Sequence, residues 1–131
     1  MLIRVQNGIV GVGDICNTAD TLSQKQKGNL QYYNFIEVFG VQDQKATQII
    51  MEAKELRNQF RASGLKATIT PHSPYSVPPK LIQEIARNFD ENDELLTIHV
   101  QETIKENELF ENKQGDFFAW LQSINALDRL E

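Results

Sequence analysis

A single cysteine, Cys16, rules out any disulfide within the 131-residue chain and fits a reducing compartment. Its place at the end of a short β-branched run predicts a small buried side chain rather than a nucleophile. Long apolar runs are also missing. Nothing approaches the roughly 20 residues that span a bilayer, and no basic start followed by an apolar stretch marks a secretory signal. A cytoplasmic setting without a membrane partner is the expectation. Positive charge is scarce, with 13 Lys and Arg against 18 Asp and Glu and a formal net charge of −5. The bases alternate with acids and form no stripe, which argues against nucleic acid as a partner. Gly11 and Gly13 begin a dinucleotide-loop pattern, but Cys16 stands where its last glycine is needed. Histidine is rare, His72 and His99 being the only two. Any imidazole chemistry must run through them.

What is present has the size and balance of one modest globular domain, with 40% hydrophobic and 24% charged residues. Leu2, Ile3 and Val5 ahead of Asn7-Gly8 read as the last turn of a helix closed by a glycine. Ile9 to Ile15 is the first strand, its glycines marking close packing of another backbone. Asn17 caps a short polar helical stretch to about Gln26. Tyr32 to Phe39 is the second strand, with Glu37 near its end either as a buried, paired group or as a site residue. Gln42 to Ser63 is the clearest helix, because Ala46, Ile49, Ile50, Ala53, Leu56 and Phe60 recur at spacings of three and four and Gly64 follows.

Lys66 to Thr70 is the third strand, and the two prolines of Pro71-His72-Ser73-Pro74-Tyr75-Ser76 predict an irregular, extended loop around His72. Pro78 and Pro79 open a helix whose Leu81, Ile82, Ile85, Ala86 and Phe89 face the core. Asp90 to Glu94 reads as a solvated acidic turn, since it lacks the glycine of a calcium loop. Leu95, Leu96 and Ile98 predict a buried fourth strand, followed by helical segments at Ile104 to Phe110 and from Asp116 through Phe117, Trp120, Leu121 and Ile124. Strand and helix thus alternate four times, which predicts an α/β fold with a parallel sheet. Four βα units make either a small open sheet or half of an eight-stranded barrel.

The stretch Thr97-Ile98-His99-Val100-Gln101-Glu102 puts an imidazole at the C-terminal end of the fourth strand and a carboxylate in the loop beyond. Sheets of this class keep their chemistry at that end. A neutral imidazole can bind a divalent metal, and a nearby carboxylate can move a proton. On spacing alone the hexapeptide reads more readily as a strand-end histidine bonded to its neighbours and a glutamate opening a helix. A second histidine, His72, at the end of the preceding strand strengthens the functional reading.

With both histidines so placed, the chain resembles the middle of an amidohydrolase-superfamily enzyme, in the branch of guanine deaminase, S-adenosylhomocysteine deaminase and the triazine chlorohydrolases. The matching pieces are Asn7-Gly8 with Val12-Gly13-Asp14, the strand Phe35-Ile36-Glu37-Val38-Phe39-Gly40, Thr70-Pro71-His72-Ser73-Pro74-Tyr75-Ser76, and Ile98-His99-Val100-Gln101-Glu102-Thr103. The resemblance implies that His99 is a metal ligand at the end of barrel strand five, that Glu102 is the catalytic proton shuttle, and that His72 contacts a small-molecule substrate. It implies a metal-dependent hydrolase of C–N bonds that uses zinc or iron. Glu37 and Tyr75 resemble positions near the pocket, without a catalytic role carried onto either.

The family's His-x-His pair on strand one, its histidine on strand six and its aspartate on strand eight have no counterparts here. Residues 1–131 are therefore expected to form one domain equivalent to strands two to five, about half of a TIM (β/α)8 barrel and incomplete at both ends. Such a fragment is expected to be inactive alone, to hold no catalytic metal and to self-associate through exposed sheet edges. The alternative is a non-enzymatic α/β module derived from the same scaffold and acting through protein association. A complete small open-sheet protein fits less well, since no strand leads into a phosphate-binding glycine loop.

Overall fold

The hydrophobic pattern resolves into a parallel sheet with helices packed on one face. The computed structural model describes residues 6–130. The helix end expected at Leu2, Ile3 and Val5 lies outside the described residues, while Gly8 takes the left-handed φ of +80° that such a terminator requires. Strand β1 (Gly11–Cys16) pairs in parallel with β2 (Gln31–Val38), which pairs in parallel with β3 (Lys66–Pro71). Among the described residues the sheet order is β1-β2-β3. Helix α1 (Leu22–Lys25) joins β1 to β2, and α2 (Ala46–Ala62), entered through a 3-10 turn at Asp43–Lys45, joins β2 to β3. Then follow α3 (Pro79–Arg87), α4 (Ile104–Asn112), α5 (Asp116–Ser123) and a 3-10 turn at Leu127–Leu130.

Alternation along the strands separates two faces. Cys16, Ile36, Val38, Ala67 and Ile69 point to the helices and share a core with Ala46, Ile50, Ala53 and Phe60 of α2 and with Leu81 and Ile85 of α3. Ile49 and Leu56 pack at its margin, so the expected α2 stripe is the core face. Burying each large member stabilises the fold by about 1.5–3 kcal/mol relative to exposure. In α3 the buried set is narrower than expected, because Ile82 and Ala86 face solvent. A second small core, Leu109, Leu121 and Ala126 with Phe117 and Phe118, ties α4 to α5 and takes in the ring of Tyr75.

Ile15, Tyr33, Phe35, Glu37, Thr68 and Thr70 alternate onto the other face of the sheet. Gly13 makes room there for a side chain rather than for a backbone: a Cβ at this position would come within 3.1 Å of the Phe35 ring. The short helix α1 has an unforeseen purpose. Its Lys25, only 3% exposed, donates to Asp14 Oδ2 at 2.5 Å and Asn34 Oδ1 at 2.6 Å, and Asn34 in turn donates to the Lys66 carbonyl at 2.7 Å. One buried cation thus links all three strands. Thr21, not Asn17, precedes this helix, and the amide nitrogen of Asn17 donates instead to the carbonyls of Glu37 and Cys16 at 3.1 and 3.0 Å.

The expected fourth strand is the main departure. Residues 95–100 run without helix or turn beside β3 but form no ladder with it, and Leu95, Leu96 and Ile98 are 59, 49 and 40% exposed rather than buried. The reason lies in the partners. Thr97 N–H bonds the Thr70 hydroxyl at 3.1 Å, the same hydroxyl donates to the Thr97 carbonyl, and only at His99 N–H to the His72 carbonyl, 2.8 Å, does a backbone pair form. A side chain replaces the backbone rung that would define a strand.

Candidate functional site

Two backbone hydrogen bonds bring the histidines together. His72 N–H bonds the Val38 carbonyl at 3.0 Å, continuing the β2–β3 register one residue past β3, and the His72 carbonyl then receives His99 N–H. Both imidazoles therefore sit beyond the C-terminal ends of the strands, with ring centroids 5.5 Å apart. Glu37, the residue before the last of β2, faces them: its Oε1 lies 3.3 Å from His99 Nε2. The Glu37 side chain is 10% exposed and that of His99 41%, so the pair has one buried end and one open end. Of the two readings open for Glu37 in the sequence, the structure shows the buried, paired group, and its partner is His99.

The loop around His72 is not extended. Ser76 N–H bonds the Ser73 carbonyl at 3.1 Å, closing a turn with Pro74 at the position where its fixed φ suits a β-turn. The turn places both serine hydroxyls at His72 Nδ1, Ser76 Oγ at 2.7 Å and Ser73 Oγ at 2.9 Å, with 2.7 Å between the two oxygens. Gly40 N–H bonds the Ser76 carbonyl at 2.9 Å and ties the turn to the end of β2. Phe39 and Tyr75 flank the imidazole edge-on, at 6.1 and 5.8 Å between centroids. Tyr75 is fixed in turn by Phe117 of α5, with the rings 4.7 Å apart.

Glu102 joins the group through Tyr75, whose hydroxyl donates to Glu102 Oε2 at 3.1 Å. Burial holds this phenol above its ordinary range. Interaction with the Ser73 side chain opposes that shift, while the hydrogen bond to Glu102 and the charges of Glu102 and Glu106 add to it. Tyr75 therefore remains a proton donor to Glu102 at neutral pH. The backbone before α4 is anchored by a reciprocal arrangement: Glu106 N–H bonds Thr103 Oγ1 at 3.3 Å, and buried Glu106 accepts from Glu102 N–H at 2.9 Å. Between His99 and Glu102 the chain turns at Gln101, a non-glycine residue at φ 58°.

His72, His99 and Glu102, singled out in the sequence, thus belong to one connected group, Glu37–His99–His72–Tyr75–Glu102. Ser73, Ser76 and the Tyr75 link were not singled out. A Ser-Pro-Tyr-Ser turn has the composition of any surface turn, and only the spacing that returns Ser76 to His72 could have signalled it. As donors to a divalent metal the chain offers the His99 imidazole, open on one side, with the Glu37 carboxylate beside it. Two groups of that kind fit part of a coordination set that normally needs about three protein ligands. Among the described residues no group of three or more His, Cys, Asp or Glu side chains is placed to hold a metal ion.

The amidohydrolase family profile matches residues 16–129. A 5-methylthioadenosine/S-adenosylhomocysteine deaminase of Bacillus cereus is 33% identical over 78 residues, which is 59% of this chain and 18% of that protein. The same deaminase of Bacillus anthracis matches to the same extent. Among solved structures, the aminofutalosine deaminase of Helicobacter pylori in complex with methylthio-coformycin superimposes with a TM-score of 0.76 at 26% identity, covering 92% of this chain and 30% of that one. A second structure of that deaminase gives 0.73, covering 90% and 32%. The chain spans less than a fifth of the curated deaminases and about a third of the solved ones. With a matching profile over nearly its whole length and a parallel α/β sheet of the same form, the chain belongs to the amidohydrolase family.

Proposed function

We propose that residues 1–131 supply strands two to five of a closed (β/α)8 barrel that carries out metal-dependent hydrolytic deamination of a small heterocyclic substrate. In this reading His99 is a metal ligand, Glu102 the proton shuttle and His72 a substrate contact. The bound metal, zinc or iron, supplies an activated water. Glu102 takes a proton from the attacking water and returns it to the departing amine, acting as general base and then general acid. The Tyr75 hydroxyl holds the Glu102 carboxylate on the side of His72. His72, fixed at Nδ1 by two serines, keeps Nε2 for the ligand. The observation that carries this reading is the meeting of His72 and His99 at the C-terminal ends of parallel strands, with Glu102 tied into the same group through Tyr75.

The test is a pair of substitutions in the longer polypeptide that contains this segment. Glu102→Gln is expected to abolish ammonia release with metal content largely unchanged, because a proton carrier is lost and no ligand. His99→Ala is expected to lower metal content itself. Full turnover in the glutamine variant, or equal metal loss in both, contradicts the assignment.

The isolated 131-residue chain is assigned to the cytoplasm, with no nucleic acid and no membrane among its partners. Among the described residues no helix is long and apolar enough to cross a membrane. A non-enzymatic module derived from the same scaffold is the second reading. It is favoured by the exposed Leu95, Leu96, Ile98 and Val100 beside β3, an apolar edge suited to association.

A further inference from the structure

Side chains on an extended chain alternate, so residues an even number apart share a side and residues an odd number apart do not. Residues 97–100 obey this rule: Thr97 and His99 are half-buried, whereas Ile98 and Val100 are exposed. Glu102 follows His99 by three. Were the chain to run on extended, its carboxylate would leave on the side of Ile98 and Val100, away from both imidazoles. Instead Glu102 accepts from the Tyr75 hydroxyl at 3.1 Å, the Tyr75 ring stands edge-on to His72, and the His72 ring meets that of His99. Between His99 and Glu102 the alternation has been reversed.

The backbone of Gln101 makes the reversal. At φ 58° it is the one residue with a positive φ between the end of β3 and the end of α4. Glycine enters this left-handed region freely and asparagine or aspartate often, but other side chains rarely, because their Cβ crowds the carbonyl oxygen. The Gln101 side chain is exposed and forms no hydrogen bond among the described residues, so it does not itself favour the conformation. What imposes it is the fixing of both flanks. Upstream, His99 N–H bonds the His72 carbonyl at 2.8 Å; downstream, Glu102 N–H bonds Oε2 of the buried Glu106 at 2.9 Å, and Thr103 caps α4. A costly backbone conformation persists where the surrounding structure dictates it from both sides, and such places gather at functional sites.

We propose that Gln101 is a positioning residue whose left-handed backbone, and not its side chain, turns Glu102 onto the side of His72 and His99. The three-residue spacing of His99 and Glu102 is then workable only because this one residue leaves the extended path. Substitutions should therefore sort by backbone preference and not by polarity. Gln101→Gly keeps access to positive φ and loses every side-chain atom, whereas Gln101→Val brings a branched Cβ that the left-handed region excludes most strongly. The value of the turn to catalysis rests on the reading of Glu102 as proton shuttle, but the geometry does not.

The experiment uses the chain as it is, labelled with ¹³C and ¹⁵N. The sign of φ at residue 101 is read from its intraresidue amide–Hα NOE and three-bond coupling, and the placement of Glu102 from NOEs between its side chain and the Tyr75 ring. The wild type is expected to show a positive φ and these NOEs, and Gln101→Gly to keep them. Gln101→Val, checked for folding by its backbone amide spectrum, is expected to lose them. A negative φ in the wild type, loss of the NOEs in Gln101→Gly, or their retention in folded Gln101→Val overturns the proposal, and the first two decide it even if Gln101→Val does not fold. In the longer polypeptide, Gln101→Val is expected to lower kcat on the order of a hundredfold with KM and metal content near the wild type, and Gln101→Gly to recover most of that loss. A wild-type kcat in Gln101→Val overturns the positioning role as well. No metal and no turnover enter the NMR measurement. Its failure would leave the deaminase reading standing, and failure of Glu102→Gln to abolish turnover would leave the turn standing.

Discussion

The hydroxyl of Thr70, in β3, bonds both the N–H and the carbonyl of Thr97 and so holds in place the segment that carries His99. Thr70 is fully buried and lies opposite Glu37 in the β2–β3 register, so one layer of the sheet supplies both the anchor of that segment and the carboxylate that faces His99. Thr70→Val keeps the shape and removes the hydroxyl. It is expected to cost about 1–3 kcal/mol, the range for leaving a partly buried backbone group without its partner. Amide exchange at Thr97 and His99 should accelerate more than at Ile36 or Ile69. Uniform acceleration across the sheet would show that the hydroxyl serves global stability and not the placement of the site.

Glu94 performs the same service one step earlier. Its carboxylate, 4% exposed, bonds Arg61 and lies 3.5 Å from Arg57, both on α2, and its Oε2 accepts Asp90 N–H at 2.9 Å. The acidic turn is therefore solvated only in part, and its last residue pins the start of residues 95–100 to the helix layer. Glu94→Ala leaves the largely buried Arg57 facing Arg61 without a counter-charge. The expected loss is about 3 kcal/mol, toward the low end for breaking a buried pair because Arg61 reaches water. Urea unfolding measures it, and a loss below about 1 kcal/mol would place the pair among ordinary surface bridges.

What was legible in the sequence had a period or a motif. Ala46, Ile50, Ala53 and Phe60 repeat at helical spacing, and the core they predict is the core observed. His72, His99 and Glu102 stand in short motifs, which allowed them to be singled out before any contact between them was known. Lys25 and Glu94 were not legible, because their partners come from distant strands and helices: a lysine in a polar stretch and a glutamate in an acidic run look solvated until Asn34 and Arg57 close over them. The fourth strand was misjudged for a related reason. Leu95, Leu96 and Ile98 have the composition of a buried strand, but no pattern in the sequence reveals that a threonine hydroxyl takes the place of its first backbone rung.

Cys16 ends β1 in the core, as its surroundings in the sequence suggest, and burial pushes its thiol up to about 11, with Lys25 pulling it down and Asp14 adding to the rise. A thiol raised above its unfolded value stays neutral in the folded protein while the unfolded chain ionises first. Its contribution to stability is therefore complete below about pH 8.5 and is lost as pH rises through about 11. Alkylation by iodoacetamide at pH 8 is expected to be much slower than for an unfolded control, and thermal stability to fall between pH 9 and 11 less steeply in Cys16→Ala than in the wild type. A fast thiol at pH 8 would contradict the buried placement.

Self-association should follow from the same exposed edge that favours a binding role. Val100 extends the apolar set Leu95, Leu96 and Ile98, and Ile15 and Phe35 lie on the sheet face that no helix of the core covers. Sedimentation velocity is expected to show concentration-dependent oligomers that bind a hydrophobic dye. Leu96→Lys with Ile98→Lys, on the exposed edge, should return them toward monomer. A compact wild-type monomer that binds no dye would argue for a self-sufficient open sheet.

The isolated chain is expected to retain no stoichiometric metal and to hydrolyse nothing at an enzymatic rate. About three protein ligands and a water make a catalytic zinc site, each ligand held by further contacts. Here His99 and Glu37 offer two donor groups, and among the described residues nothing completes them. On the proposed reading His72 could be recruited only by giving up its contact with substrate, and Glu102 only by leaving Tyr75 and ceasing to serve as the proposed proton shuttle. Binding that consumes the anchor and the shuttle together would leave no machinery for turnover. Metal analysis after dialysis, followed by assay of the reloaded chain against aminopurines, cytosines and triazines, decides the matter. Stoichiometric metal with saturable, metal-dependent ammonia release would show that this segment alone assembles a working site, and that ligands from the rest of a barrel are not needed.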